Sequence, residues 1–543
     1  MNPILLGNEA VALGALHAGI TAAYGYPGTP STEILESLLE RKHEAVVSWC
    51  ANEKTAYEAA LGVTFVGRRA LVTMKHVGLN VAADPFMSSA IVAPHAGLVL
   101  AVADDPGMHS SQNEQDSRFY ADFARIPCLE PADPQQAYDM TRDAFDLSER
   151  FRVPVMLRLV TRVSHALGTV RTTEKRGPKA LEKAPHASSW ILMPMNARRQ
   201  WHEHLEKQKD LEGFSESSSY NWLEPAGGHR KVRDRLGVIT TGIARDYFLE
   251  SLDDLTHLLG YSPAHLHVGA YPLPREKIRS LASQVGRIVV FEEGQSFLEK
   301  RLRGILPPEH EILGKESGHV PPEGELTPDL IRQTLELPLT RSASLEAVFP
   351  GLRLPGRPPQ LCSGCPHGDT YDALKPILAS FEAKLVTSDI GCYSLGALPP
   401  HSVTESCVCM GASIGMARGA VDAGFRPVVA VIGDSTFVHS GIPPLLEAAA
   451  ANTPMTVLIL DNETVAMTGG QQTLVPTSRL TGIVLGLGVD PDHLRVITAH
   501  PRHAEENTAI MRAEVDHAGL SVVIAVRECV EIAKRRKDRP SRS

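Results

Sequence analysis

Two apolar runs late in the sequence end in polar steps. VVAVIG closes on Gly433-Asp434, and TVLIL closes on Asp461-Asn462. Short apolar runs bounded by turns read as buried strands, and an open parallel sheet binds its ligands at the carboxyl ends of its strands. The Asp434 carboxylate, the Asn462 amide oxygen and the backbone carbonyl of Thr464 would then share one rim. That is a hard oxygen site suited to Mg²⁺, which completes an octahedral shell with phosphate oxygens and water. Gly433 leaves room for a diphosphate to approach the backbone. Gly411 and Ala412, in GASIG, put small residues near a helix N-terminus, which favours anions. A strand-end turn with capping residues is the competing reading of the same stretch.

The elements that must position these groups are legible from periodicity. Residues 1–170 alternate helix and strand: AVALGALHAGI, AAYGYPG, EILESLLERK, AVVSWC, NEKTAYEAALGVTFVG, RALVTMK, GLVLAVADD and RVPVMLRLV. This alternation argues for a parallel sheet with helical crossovers. Residues 171–235 are polar and read as a linker or insert, 236–310 as a smaller α/β domain, and 311–358 as a second linker. Residues 359–535 are α/β again, followed by a basic tail over 536–543. The expected fold class is therefore α/β, with two doubly wound parallel-sheet domains and a smaller α/β domain between them.

A net charge of −9 gives no global basic field for nucleic acid or anionic membrane. No apolar run is long enough to span a bilayer, and MNPILLGNEAVALG lacks the basic start of a secretory signal, so a cytoplasmic protein is expected. Eight cysteines in 543 residues do not make a disulfide framework, yet five fall between Cys362 and Cys409. Four thiolates suit an iron–sulfur cluster or zinc. Plain buried thiols are the alternative.

The 28-residue step from Asp434 to Asn462 resembles the thiamin-diphosphate signature, in which GD-G/S precedes an Asn by a similar interval. MTGGQ and YGYPGTPSTE resemble the 2-oxoacid:ferredoxin oxidoreductases. Together with TMKHVGLN, SSQNEQDSR, CSGCPH, DIGCYSLG and CMGASIG, these stretches look like the alpha-subunit family of indolepyruvate ferredoxin oxidoreductase over nearly the whole chain.

The resemblance implies that the two large domains bind thiamin diphosphate and Mg²⁺, with the middle domain similar to a transketolase C-terminal domain. It implies that Glu53, at the start of a helix, hydrogen-bonds the aminopyrimidine ring and activates the coenzyme. A first-turn glutamate that merely complements the helix dipole is the alternative. It further implies Thr29 at the reacting centre and toward the substrate, and Ser435 and Met467 beside the coenzyme. TMKHVGLN and SSQNEQDSR follow other strands on the same rim, which puts Lys75, His76 and Asn80 in line for the same pocket, His76 at the reacting centre, and Asn80 and Arg118 toward the substrate, Arg118 as a partner for its carboxylate; a surface loop is the alternative for each. Cys362, Cys365, Cys392 and Cys529 would ligate one [4Fe–4S] cluster, since electrons released on decarboxylation must leave one at a time.

The family oxidises aryl 2-oxoacids with coenzyme A to acyl-CoA and CO₂. A smaller beta subunit completes it, in an expected dimer of heterodimers, and ferredoxin accepts the electrons. One departure stands out: the sequence holds no C-x-x-C-x-x-C-x-x-x-C run of the ferredoxin type. Electrons would then need another exit: a separate ferredoxin-like subunit, a flavoprotein or the beta subunit. A non-oxidative thiamin-dependent decarboxylase or lyase, which needs no cluster, is the main rival, and a non-catalytic subunit that kept the fold is the second.

Overall fold

Strands Ala70–Lys75, Leu98–Asp104 and Val155–Val160 are buried along their whole length. Strands apolar on both faces can only sit inside a parallel sheet covered by helices on either side. In the computed structural model, which describes residues 2–339, 351 and 359–538, they form the centre of such a sheet. Its order is Ala270–Tyr271, Cys128–Leu129, Val155–Val160, Leu98–Asp104, Ala70–Lys75, Ala22–Gly25, Val46–Trp49. Six strands are parallel, and Ala270–Tyr271 pairs antiparallel at the edge. A second sheet runs Glu311–Leu313, Arg287–Phe291, Leu236–Thr241, Ala264–Val268, Asn221–Glu224, with the last strand antiparallel.

The chain divides into two compact units, Met1–Pro350 and Gly351–Ser543. Both of these sheets lie in the first unit. The segment expected as an insert at 171–235 carries helices Pro194–Glu206 and Gln208–Ser217 and supplies the edge strand Asn221–Glu224. The segment expected as a linker at 311–358 supplies strand Glu311–Leu313 and helix Pro328–Thr334; most of its second half lies outside the described residues, as do 539–543 of the expected basic tail. Short edge strands lack the apolar run that announces a central strand, which is why composition alone left them as connections.

A buried charge network joins the two sheets of the first unit. Arg158, inside its strand and fully enclosed, donates to Asp104 at 2.7 Å and Glu130 at 2.5 Å. Arg118, equally enclosed, holds Asp116 at 2.5 Å and Glu292 at 3.0 Å, and donates to the Glu293 carbonyl at 2.8 Å. The two guanidinium groups hold Asp116 down to about 2 despite its burial. Arg118, expected to face the substrate, here engages internal carboxylates, carbonyls and the Thr241 and Tyr271 hydroxyls.

The second unit holds one five-stranded, fully parallel sheet: Leu385–Ser388, Val428–Gly433, Thr456–Asp461, Ser521–Val526, Leu494–Thr498. Ile432, Ile459 and Ile524 pack one face, and Val431, Leu458 and Val523 the other. Among the described residues no helix is long and apolar enough to cross a membrane.

Removing one partner of a buried ion pair strands the remaining charges. Arg158→Met should cost about 3–5 kcal/mol of stability, read as a fall in the urea midpoint of the first unfolding transition. An unshifted midpoint would contradict the role assigned to the network.

Candidate functional site

In the second unit, register builds the site. Gly433 pairs with Leu460 across the parallel ladder, so Asp434 emerges beside Asp461 at the carboxyl rim. Both side chains are buried. Burial first, and then the neighbouring Asp461 charge, drives the Asp434 pKa well above the usual carboxylate range. Burial raises Asp461 as well. One carboxylate oxygen of each, and the Ser435 hydroxyl, are buried without a hydrogen-bond partner.

Asn462 is held from both sides. Its amide donates to His367 Nε2 at 3.1 Å, its Oδ1 accepts from the Thr464 N–H at 3.2 Å, and its carbonyl accepts from the Cys529 N–H at 3.2 Å. Burial pulls the His367 pKa down to about 4, so the ring is neutral and free to accept at Nε2. Among the described residues no three His, Cys, Asp or Glu side chains converge on one point. A cation here would take Asp434, Asp461 and Asn462 and complete its shell with oxygens from outside the chain, as Mg²⁺ characteristically does.

Other residues of this rim are placed differently from the expectation. The helix Ala412–Asp422 begins at Gly411, whose φ of +89° favours glycine. Its N-terminus is already capped: the Asp389 carboxylate accepts from the Gly411 N–H at 2.7 Å and the Ser413 N–H at 3.0 Å. The anion site read at Gly411 and Ala412 is thus filled by a carboxylate of the chain itself. Gly433 makes room for the Tyr393 ring, which would lie 2.6 Å from a Cβ there. Met467 is 55% exposed.

Cys365 starts helix Pro366–Leu378, and Arg527 ties this region to the last strand through Asp369 at 2.6 Å and the Gly364 carbonyl at 2.6 Å. Burial, then the thiols of Cys365, Cys529 and Cys362, pushes Cys392 up to about 11. The four cysteines therefore share one neighbourhood, and all are free thiols.

In the first unit, Asn52 caps helix Glu53–Phe65 by accepting from the Thr55 N–H at 3.0 Å, which fixes Glu53 as the first helical residue. The Glu53 carboxylate is buried against Gly78, where a Cβ would sit 2.5 Å from Oε1. Two residues before Gly78, His76 is buried at the start of helix His76–Val81, with Nε2 3.2 Å from the Asn113 carbonyl and Nδ1 without a partner. Burial lowers its pKa and keeps it neutral.

Thr29 follows strand Ala22–Gly25 on the same rim, and its carbonyl accepts from Ser110 Oγ at 3.3 Å. Glu53, His76 and Thr29 are thus brought together at adjacent strand ends. Asn80 stands apart: it is exposed and accepts from the Tyr120 hydroxyl at 2.7 Å. The sequence reading passed over Asp461, His367 and Asp389 as site residues. Asp461 and His367 each adjoin a motif already singled out, and only the fold reveals their partners.

Two family models match the chain. One, described as "Pyruvate flavodoxin/ferredoxin oxidoreductase, thiamine diP-bdg", matches residues 13–206. The other, "Thiamine pyrophosphate enzyme, C-terminal TPP binding domain", matches 389–525. The curated "Indolepyruvate oxidoreductase subunit IorA" of Archaeoglobus fulgidus is 36% identical, over 98% of this chain and 88% of its own length. The protein of the same description from Methanothermobacter marburgensis is 36% identical, over 97% of this chain and 86% of its own. A solved 2-oxoglutarate:ferredoxin oxidoreductase from Magnetococcus marinus, with 2-oxoglutarate, coenzyme A and succinyl-CoA bound, is similar in fold. It has a TM-score of 0.51 and 16% identity, covering 62% of this chain and 65% of that one.

Two consequences can be measured. In Gly78→Ala the new methyl displaces the Glu53 carboxylate, so turnover should fall by at least about tenfold, more than the loss of stability explains; unchanged turnover would show that the carboxylate has no fixed place. In the metal-free protein, an acid whose folded pKa is raised costs stability once pH exceeds its unfolded value. Asp434→Asn should therefore stabilise the protein at pH 7.5 and leave it nearly unchanged at pH 4 in urea titrations. The reverse order would contradict the crowding of the two carboxylates.

Proposed function

Since the chain belongs to the family of indolepyruvate oxidoreductase IorA subunits, we propose that it catalyses oxidative decarboxylation of an aryl 2-oxoacid with coenzyme A, yielding acyl-CoA and CO₂. Family membership and the two matching family models make it a subunit of a thiamine-diphosphate-dependent oxidoreductase. The substrate, the acyl acceptor and the electron route are the proposed part. One observation carries it: two buried carboxylates at adjacent strand ends with unpartnered oxygens, Asp434 and Asp461, a donor set that a divalent cation and a diphosphate would complete.

Bound thiamine diphosphate supplies a carbon nucleophile for the keto carbon and a sink for the electron pair that CO₂ leaves behind. The chain's residues do the rest. Asp434, Asp461 and Asn462 hold Mg²⁺, with His367 and Thr464 fixing the Asn462 amide. Glu53 would hydrogen-bond the aminopyrimidine and hold a proton there; its support is its burial and its seat against Gly78. His76, neutral, and Thr29 stand beside it. Cys362, Cys365, Cys392 and Cys529 would hold an iron–sulfur cluster, which would carry electrons away one at a time. The mutual influence of these thiols suits a cluster or a zinc ion alike, and the need for electrons to leave one at a time favours the cluster. A smaller beta subunit completes the enzyme, and ferredoxin or another carrier protein takes the electrons.

The test is an anaerobic assay of the complex with indolepyruvate and phenylpyruvate, with and without coenzyme A, following reduction of a one-electron acceptor. Acceptor reduction should require coenzyme A and fall by about 10²–10⁴ in Glu53→Gln, with thiamine diphosphate still bound. Aldehyde release independent of coenzyme A, in protein lacking iron and acid-labile sulfide, would replace the reading with a non-oxidative decarboxylase. Wild-type turnover in Glu53→Gln would remove Glu53 from the mechanism.

A further inference from the structure

A substrate carboxylate needs a cation, and Arg118 and Arg158 are enclosed among internal carboxylates. Lys75 stands on the rim instead. It ends strand Ala70–Lys75, between the strand that leads to Thr29 and the strand that ends in Asp104. Its stem lies under Gly28, the residue before Thr29, where a Cβ would be 3.1 Å from the Lys75 Cβ.

Lys75 is 7% exposed, and Nζ donates to the Ser110 carbonyl at 2.8 Å and to Ser110 Oγ at 3.1 Å, both neutral oxygens. Asp105 is farther, at 3.8 Å, and its carboxylate already accepts from the Ser110 N–H at 2.8 Å, Ser111 Oγ at 2.5 Å and Thr161 Oγ1 at 2.8 Å. Ser110 Oγ also reaches the Thr29 carbonyl at 3.3 Å, so the ammonium is stitched to the loop that faces the reacting centre. A buried ammonium whose hydrogen bonds go to neutral oxygens, and whose carboxylate neighbour at 3.8 Å is already engaged elsewhere, is stabilised by an arriving anion.

We propose that Lys75 receives the carboxylate of the 2-oxoacid and thereby selects acids over neutral carbonyl compounds. This rests on the reading of the site given above and names its specificity residue. The titratable groups that interact with Lys75 are Asp105 at the neighbouring strand end and His76 beside it. Burial, opposed by Asp105, draws the Lys75 pKa down to about 8. Substrate capture should therefore weaken above that pH as the ammonium is lost.

The experiment uses the complex with its partner subunit and phenylpyruvate as probe, beside its methyl ester. Lys75→Met should raise KM for phenylpyruvate by about 10- to 100-fold, the size expected of a lost charge-assisted contact, while the inhibition constant of the methyl ester, which cannot decarboxylate, and the Kd for thiamine diphosphate stay as in wild type. In wild type, kcat/KM should fall above pH about 8; Lys75→Arg, charged throughout, should lower kcat/KM less than Lys75→Met does and lose that limb. If Lys75→Met does not fold, the Lys75→Arg profile decides. An unchanged KM in Lys75→Met, or an alkaline limb surviving in Lys75→Arg, would overturn the inference. A wild-type complex that binds the coenzyme but consumes no 2-oxoacid would instead overturn the reading beneath it, and this inference with it.

Discussion

Parallel register forces two carboxylates against each other. Because Gly433 pairs with Leu460, the residues that follow, Asp434 and Asp461, have no choice but to share the rim. Burial removes the water that would screen them, and both are pushed toward the protonated form. Folding tolerates such a pair only at a cost, and the arrangement becomes favourable when a cation enters. The neighbouring Asn462 is clamped by His367, the Thr464 N–H and the Cys529 N–H, so its amide is held in one orientation. His367 lies two residues beyond Cys365, and Cys529 bonds Asn462 directly through its backbone. Cysteine neighbourhood and oxygen site are therefore mechanically one construction.

The unit Met1–Pro350 follows a different logic. Arg118 and Arg158 collect Asp104, Asp116, Glu130 and Glu292, and they bind the carbonyl of Glu293. These partners come from both sheets, so the network fixes one sheet against the other and leaves the rim above it rigid. Rigidity matters there because Glu53 has no slack: Gly78 is the only residue type that clears its carboxylate. A positioned carboxylate, a neutral imidazole at His76 and the Thr29 loop then occupy consecutive strand ends.

Much of this was readable in the sequence, and the failures have physical causes. The central strands carry continuous apolar runs, so their order of appearance and the strand-end position of Glu53, Asp434 and Asn462 follow from pattern. Edge strands such as Asn221–Glu224 are short and polar, and pattern is silent about them. Arg118 looks like a substrate clamp in a polar loop-like stretch, because sequence does not show that Asp116, Glu130 and Glu292 converge on it. Gly411 and Ala412 read as an anion site because the capping carboxylate, Asp389, is 22 residues away and reaches them only through the fold. Lys75 was visible beside His76, but its burial among neutral oxygens was not.

The central claim is that Asp434, Asp461 and Asn462 bind a divalent cation together with the coenzyme diphosphate. Electron paramagnetic resonance of Mn²⁺ titrated into the metal-free complex, with and without thiamine diphosphate, measures this directly. The account predicts one tight Mn²⁺ site that appears only with the coenzyme, and its loss in both Asp434→Asn and Asp461→Asn. A tight coenzyme-dependent site that survives both substitutions would contradict it.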